Sequence, residues 1–204
     1  MKGPSNPLAL AVLVLLFERP MHPYEIAVTL KMRHKEKSIK LRYGSLYTVI
    51  EGLQKDGLIT ARETVREGKR PERTIYEITP AGLERMRSWM RDLLGTPVKE
   101  YLQFEAALSL IAAVPPAEAT ELLEGRARRL GESAEEMRTV LEVVTKVVEP
   151  LFLVEAEYRL ALVEAERQFV EALVRRIKDD EAYVRIWKQF HAGPGRGAAE
   201  AESS

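Results

Sequence analysis

The densest chemistry in these 204 residues is cationic: Lys31, Arg33, Lys35, Lys37, Lys40 and Arg42 crowd twelve positions, with Glu36 as the one acid among them. A run of this kind attracts polyanions, phosphate above all. Hydroxyl and aromatic side chains follow at once, Tyr43, Ser45, Tyr47 and Thr48, with Gly44 between them. Hydroxyls at a helix start can bond phosphate oxygens, where backbone N–H groups and the helix dipole already favour an anion. A second basic group, Lys69, Arg70 and Arg73, stands further on.

Other chemistries find less to work with. The three histidines, His22, His34 and His191, fall in a helix start, in the basic cluster and in the C-terminal tail, with no nucleophile in a recognisable motif beside them. Cysteine is absent, so there is no thiolate, no disulfide and no Cys-ligated zinc. No His pair at i, i+4 and no EF-hand spacing of carboxylates occurs either. The glycine-rich Gly193-Pro194-Gly195-Arg196-Gly197 follows no strand, which a phosphate loop requires. We therefore expect no enzyme, no cofactor and no metal. The apolar run Leu8 to Phe17 is too short to span a bilayer and leads into Glu18-Arg19-Pro20, with no small-residue cleavage site. It reads as a buried helix, and no membrane partner and a cytoplasmic location are expected.

A zero net charge conceals an asymmetry. Residues 1–80 carry 14 Lys and Arg against 9 Asp and Glu, a balance of +5, and residues 81–204 carry 17 against 22, a balance of −5. The elements that hold the cations can be read from periodicity. Leu8 to Phe17 is apolar all round, which implies burial on several sides. His22-Pro23 places proline at the first position of a second helix, with Ile26, Ala27 and Leu30 on one face. Ser38 to Arg42 is a short polar connection, and Tyr43 to Asp56 is a third helix that stops at Gly57. Leu58 to Val65 and Arg73 to Ile78 alternate in polarity around the turn chemistry of residues 67–72, as a β-hairpin does. Thr79-Pro80 opens a fourth helix, with Leu83, Met86, Met90 and Leu93 on one face and Gly95 at its end.

On the third helix, at about 100° per residue, Leu46, Val49, Ile50 and Leu53 share one side. Gly44, Thr48, Lys55 and Glu51 take the other, flanked by Tyr47 and Ser45. This is the arrangement of a recognition helix, polar outside and nearest to DNA at its N-terminal residues. Glu51 is read as solvated, because phosphates repel a carboxylate unless it takes a cytosine amino group. The expected DNA-binding residues are Lys40, Arg42, Tyr43, Gly44, Ser45, Tyr47, Thr48 and Lys55, with Lys69, Arg70 and Arg73 around the hairpin tip.

Tyr43-Gly44-Ser45-Leu46-Tyr47, leading to Leu53 and Gly57-Leu58-Ile59, resembles the signature of the PadR family of transcriptional regulators. His22-Pro23-Tyr24-Glu25-Ile26 resembles the family's second helix, although Pro23 stands where glycine is common. Tyr76-Glu77-Ile78-Thr79-Pro80-Ala81-Gly82 resembles its second wing strand and the helix after it. These matches cover nearly all of residues 8–90; the C-terminal part is similar to the longer-tailed subgroup in length and helical pattern. The resemblance implies a dimeric, usually repressing regulator that binds near-palindromic operator DNA, released by a small phenolic or drug-like effector in members that sense one.

From Thr96-Pro97 onward the pattern is helical throughout. A helix near 98–113 is expected, divided by Pro115-Pro116 from a longer one whose seam runs Leu123, Ala127, Leu130, Ala134, Met137, Leu141, Val144 and Val148. Pro150 interrupts it, and a second seam continues through Leu151, Val154, Tyr158, Leu162, Ala165, Phe169, Leu173 and Ile177. The expected fold is mainly α: a winged helix-turn-helix with a two-stranded β-wing over residues 1–95, a helical dimerisation domain over 96–191 and a disordered tail over 192–204. Leu10, Leu13, Leu130, Met137, Leu162 and Phe169 are the expected dimer contacts, and Trp89, Met90, Leu93 and Phe104 the expected lining of an effector site. The competing reading is a winged-helix protein-interaction scaffold without specific DNA binding, which the basic asymmetry and the polar face of the third helix oppose.

Overall fold

The structure is a computed structural model that describes residues 6–39, 43–65 and 73–191. These fall into two compact units that divide between Lys99 and Glu100.

The N-terminal unit runs α1 (Pro7–Glu18), α2 (Pro23–Met32), α3 (Tyr43–Lys55), β1 (Ile59–Val65), β2 (Arg73–Ile78) and α4 (Pro80–Gly95). Each helix start has a chemical cause. Asn6 caps α1 by accepting the N–H groups of Leu8 at 3.0 Å and Ala9 at 3.4 Å. His22 caps α2, its Nδ1 accepting the Tyr24 N–H at 3.1 Å, while the Glu25 carboxylate accepts the His22 N–H at 2.8 Å. That reciprocal capping box satisfies two donors that a helix start leaves without partners. The backbone hydrogen bond from His22 holds the Glu25 carboxyl below the usual carboxylate range, partly opposed by burial. Pro23, the departure from the family pattern, occupies the first helical turn, where its missing N–H has no partner to lose.

The end of α3 and the start of α4 meet at one point. Leu58 N–H donates to the Leu53 carbonyl at 2.9 Å and Gly57 N–H to that of Gln54 at 3.0 Å. This is a Schellman stop, with Gly57 at φ +70°. The Thr79 hydroxyl donates to the Gly57 carbonyl at 2.7 Å and accepts the Gly82 N–H at 3.0 Å, and Thr79 N–H donates to the Leu58 carbonyl at 3.1 Å. A Cβ on Gly82 would stand 1.9 Å from the Leu58 carbonyl oxygen. Only glycine fits there.

The hairpin is antiparallel, in a register that pairs Ile59 with Ile78 and Val65 with Arg73, with an irregularity between Ala61 and Glu63. On the other side of β2, Met21 and Tyr76 exchange two backbone hydrogen bonds of 3.0 Å. The core beneath collects Val12, Leu13, Met21, Ile26, Leu30, Leu46, Ile50, Leu53, Ile59, Met86 and Trp89.

Two expectations change here. The first helix was expected to need a partner chain because it is apolar all round, but α3, α4 and β2 pack against it within the chain. Leu10 and Leu13, named as dimer contacts, are 9% and 0% exposed in the core of their own unit. They present no free face to a partner.

The C-terminal unit contains α5 (Gln103–Ser109), α6 (Pro116–Val144), α7 (Val154–Asp179) and α8 (Glu181–His191), with short 3-10 turns at Ile111–Ala113 and Pro150–Phe152. The helix expected near 98–113 is shorter, running from Gln103 to Ser109, and Val98, Tyr101 and Leu102 ahead of it are exposed. α6 likewise stops at Val144, before the Val148 end of its expected seam. That seam faces α7 of the same chain, and Leu130 and Met137 on it are half-buried. Arg126–Glu166, Arg138–Glu164 and Lys178–Glu124 ion pairs lace α6 to α7 in antiparallel order. Ala119, Leu123, Val170, Val174, Ile177 and Trp187 form the core, and the Trp187 indole N–H donates to the Val114 carbonyl at 2.8 Å.

In urea unfolding of the full chain, Gly82→Ala should destabilise the winged unit by about 3 kcal/mol, because a backbone oxygen cannot move aside as a side chain does. Gly57→Ala should cost about 1–2 kcal/mol, the strain of a left-handed residue with a Cβ and nothing more, since the space around it is open. Equal midpoints for the two variants would refute the close contact at Gly82.

Candidate nucleic-acid interface

The third helix is divided as its sequence pattern requires. Leu46, Ile50 and Leu53 are buried in the winged core, while Gly44, Ser45, Tyr47, Thr48, Glu51 and Lys55 are exposed. Tyr47 keeps 48% of its surface, enough for the ring to reach outward from the helix. Among the described residues, a Cβ on Gly44 would meet nothing within 4 Å. The Thr48 hydroxyl donates to the Gly44 carbonyl at 3.1 Å, which leaves its oxygen able to accept. No acid stands in the first turn, and Lys55 occupies the last. The exposed end is thus the electropositive end of the helix dipole, and it carries hydroxyl and aromatic side chains in place of aliphatic ones.

Lys40, Arg42, Lys69 and Arg70 lie outside the described residues. Tyr43 is the first residue of α3 and Arg73 the first of β2. Gly52 and Gln54 also lie on the exposed side of α3, where attention to bulky or charged types passed over them. The basic cluster is less uniform than its composition implies. Arg33 forks onto Glu18 with contacts of 2.5 and 2.7 Å, and that hydrogen-bonded pairing lowers the Glu18 carboxyl and raises the Arg33 guanidinium. Arg33 therefore serves to tie the end of α2 to the end of α1. Fifteen residues separate the pair, beyond any local sequence signal.

The residues expected to line one effector site fall in two separate units. Trp89 is buried on α4 with Arg85 4.8 Å over its ring, and Met90 and Leu93 on the same helix are exposed. The Trp89 indole N–H has no acceptor among the described residues. Phe104 belongs to the helical unit, under the Arg126 guanidinium at 3.6 Å, and lines an apolar pocket of about 370 Å³ with Leu108, Ile111, Val114 and Leu123. Of the remaining expected dimer contacts, Leu162 and Phe169 are exposed on α7. Among the described residues no three His, Asp or Glu side chains converge as a metal site would need, and no helix is long and apolar enough to cross a membrane.

Helix, helix, helix, hairpin, helix, with a polar outer face on the third helix, defines a winged helix-turn-helix domain, a DNA-binding fold, here followed by an all-helical unit. Residues 12–88 match the Transcriptional regulator PadR-like family, and the chain carries a domain of that family. Among solved structures it is similar to Bacillus subtilis PadR in complex with operator DNA, at 19% identity and a TM-score of 0.64 over 83% of this chain and 98% of that one. It is similar to the same protein in complex with p-coumaric acid, at 17% identity and a TM-score of 0.68 over 84% and 99%. The Vibrio cholerae virulence activator AphA matches at 16% identity and a TM-score of 0.60 over 84% and 98%. At these identities the likeness is one of fold. No curated protein sequence matches the chain.

The two faces of α3 should respond differently to truncation. Leu46→Ala is expected to cost about 2–5 kcal/mol in urea unfolding, whereas Tyr47→Ala should stay within about 0.5 kcal/mol of the parent. A large loss at Tyr47 would make it a packing residue and remove it from the interface.

Proposed function

We propose that this chain is a dimeric transcription repressor that binds a near-palindromic DNA operator through α3 and the wing and is released by a small apolar effector. The observation that carries the reading is the outer face of α3, with an unobstructed glycine, hydroxyls and a tyrosine at the electropositive end of a helix whose other face is locked into the core. In a major groove, Gly44 and Ser45 approach phosphate while Tyr47 and Thr48 reach base edges or the thymine methyl. Tyr43 and Lys55, the first and last residues of that helix, join it in this reading, and Lys40, Arg42, Lys69, Arg70 and Arg73 are the cations proposed to grip backbone phosphates. The operator and p-coumaric acid complexes of the similar Bacillus protein support the pairing of DNA with a small phenolic ligand. Two-fold symmetry would set the recognition helices about 34 Å apart, one turn of DNA.

Gel shifts at about 50 and 200 mM salt on an inverted-repeat operator provide the test. Lys40→Ala, Arg42→Ala and Lys69→Ala should each weaken binding to every sequence and reduce the salt slope by about 0.9 per lost phosphate contact. Tyr47→Ala and Thr48→Ala should instead change the ranking of operator variants. A salt-independent response, or unchanged affinity in all three cation variants, would favour the protein-interaction scaffold.

For the effector, the buried indole N–H of Trp89 is a donor without an acceptor among the described residues, and a phenol or carboxylate oxygen could supply one. Met90 and Leu93 then offer apolar contact on the same helix. In a Trp187→Phe background, where Trp89 is the only indole, phenolic acids should quench its fluorescence over the concentrations that dissociate the operator. Quenching without loss of operator binding would count against regulation through this residue.

A further inference from the structure

The apolar pocket of the helical unit differs in chemistry from the surroundings of Trp89. It opens between α5, with the 3-10 turn that follows it, and the first turns of α6, and it holds about 370 Å³. That is more than twice the ~150 Å³ cavity that takes up a benzene, and it falls within the range of small-molecule sites. All ten residues that line it are Phe, Leu, Ile, Val or Ala, so its walls carry no charged, hydroxyl or amide side chain. Two polar groups border it, and both are already satisfied. The Val114 carbonyl accepts the Trp187 indole N–H at 2.8 Å, and the Arg126 guanidinium over the Phe104 ring donates from Nε to Glu166 at 2.6 Å.

The pocket is built, not left over from loose packing. Its two walls join at Val114-Pro115-Pro116, where both prolines fix φ, Trp187 anchors Val114 and the Pro115 carbonyl accepts the Ala119 N–H at 2.9 Å. A corner held in this way cannot fold the walls together. Ala119 and Leu123 tie the floor to the core of the unit, while Leu110 and Leu122, 70% and 58% exposed, stand at the mouth.

We infer that this pocket binds one uncharged, hydrocarbon-rich small molecule, of two or three rings or a chain of equal bulk, at a site separate from the operator face and from Trp89. A carboxylate or phenolate that entered would exchange water for walls without a donor. A peptide segment laid along it would leave its own N–H and C=O groups unpaired, for the same reason. Residues 192–204 contain no Leu, Ile, Val, Met or aromatic residue, so the chain's own tail has nothing with which to fill it.

The test uses N-phenyl-1-naphthylamine, a neutral dye that fluoresces strongly only out of water, with the full chain and no DNA. One dye should bind per chain. In a Trp89→Phe background, where Trp187 is the only indole, the bound dye should be excited by energy transfer from Trp187 behind the Val114 wall. 1-Methylnaphthalene should displace the dye at concentrations about tenfold or more below those needed with 1-naphthoate. Leu122→Glu sets a charge at the mouth and Ala107→Phe a ring in the cavity, both at exposed positions, and each should weaken the dye by about tenfold or more without altering the circular dichroism. Naphthoate that displaces as well as methylnaphthalene would overturn the uncharged class. Undiminished dye binding in both variants would overturn the site. A parent chain that takes up no dye would overturn the proposal outright, and dissociation of a dimer by Leu122→Glu under light scattering would then make a second copy the occupant. None of these outcomes bears on operator binding, which the gel shifts decide separately.

Discussion

The winged unit hangs on the close approach of the first turn of α4 to the chain just beyond α3. Thr79 bonds both Gly57 and Leu58, and Gly82 lies against the Leu58 carbonyl with no room for a side chain. This fixes three things at once: where α3 stops, where the first wing strand leaves it and where the next helix begins. The outer face of α3 has a defined direction because its C-terminus cannot drift. Met21 adds a second tether, bonding the chain ahead of α2 to the same wing strand that leads into Thr79. A helix that meets a ligand mainly through its first turn gains little from good chemistry unless its axis is held, and here both ends of the hairpin base hold it.

Much of this was legible because the signals were local. Gly57, Thr79-Pro80 and His22-Pro23 mark helix ends through single residues whose backbone chemistry admits few alternatives. The two faces of α3 followed from the 3.6-residue period alone. What escaped required knowledge of neighbours. Leu10 and Leu13 looked surplus to one small domain because periodicity registers how many faces of a helix are apolar, but not how many elements surround it. Three surround α1. The Glu18–Arg33 fork and the single rung between Met21 and Tyr76 join residues far apart in the chain and leave no trace in composition.

The helical unit shows a subtler limit. The seam counted along α7 begins at Val154, Tyr158 and Leu162 on the outer face and ends at Ile177 in the core. Each step of four residues advances about 40° around a straight helix, so the run of fours from Ala165 through Phe169 and Leu173 to Ile177 carries the count from one face to the next. The outer and inner stripes of α7 have the same spacing, and only the position of α6 distinguishes them. The ion pairs between α6 and α7 are partly exposed and contribute little energy each, but they fix which stripe faces inward.

Trp187 has a consequence for the order in which the molecule is made. The winged core is complete once Trp89 has been synthesised, since none of its members lies beyond that residue. The helical core closes much later: Trp187 returns to bond Val114 and packs with Ala119 and Leu123, across a gap of some seventy residues that α6 and α7 fill. Domains fold as units in the order they leave the ribosome. The winged unit can therefore close while the helical unit is still incomplete, so each nascent chain passes through a stage in which only its N-terminal core is formed.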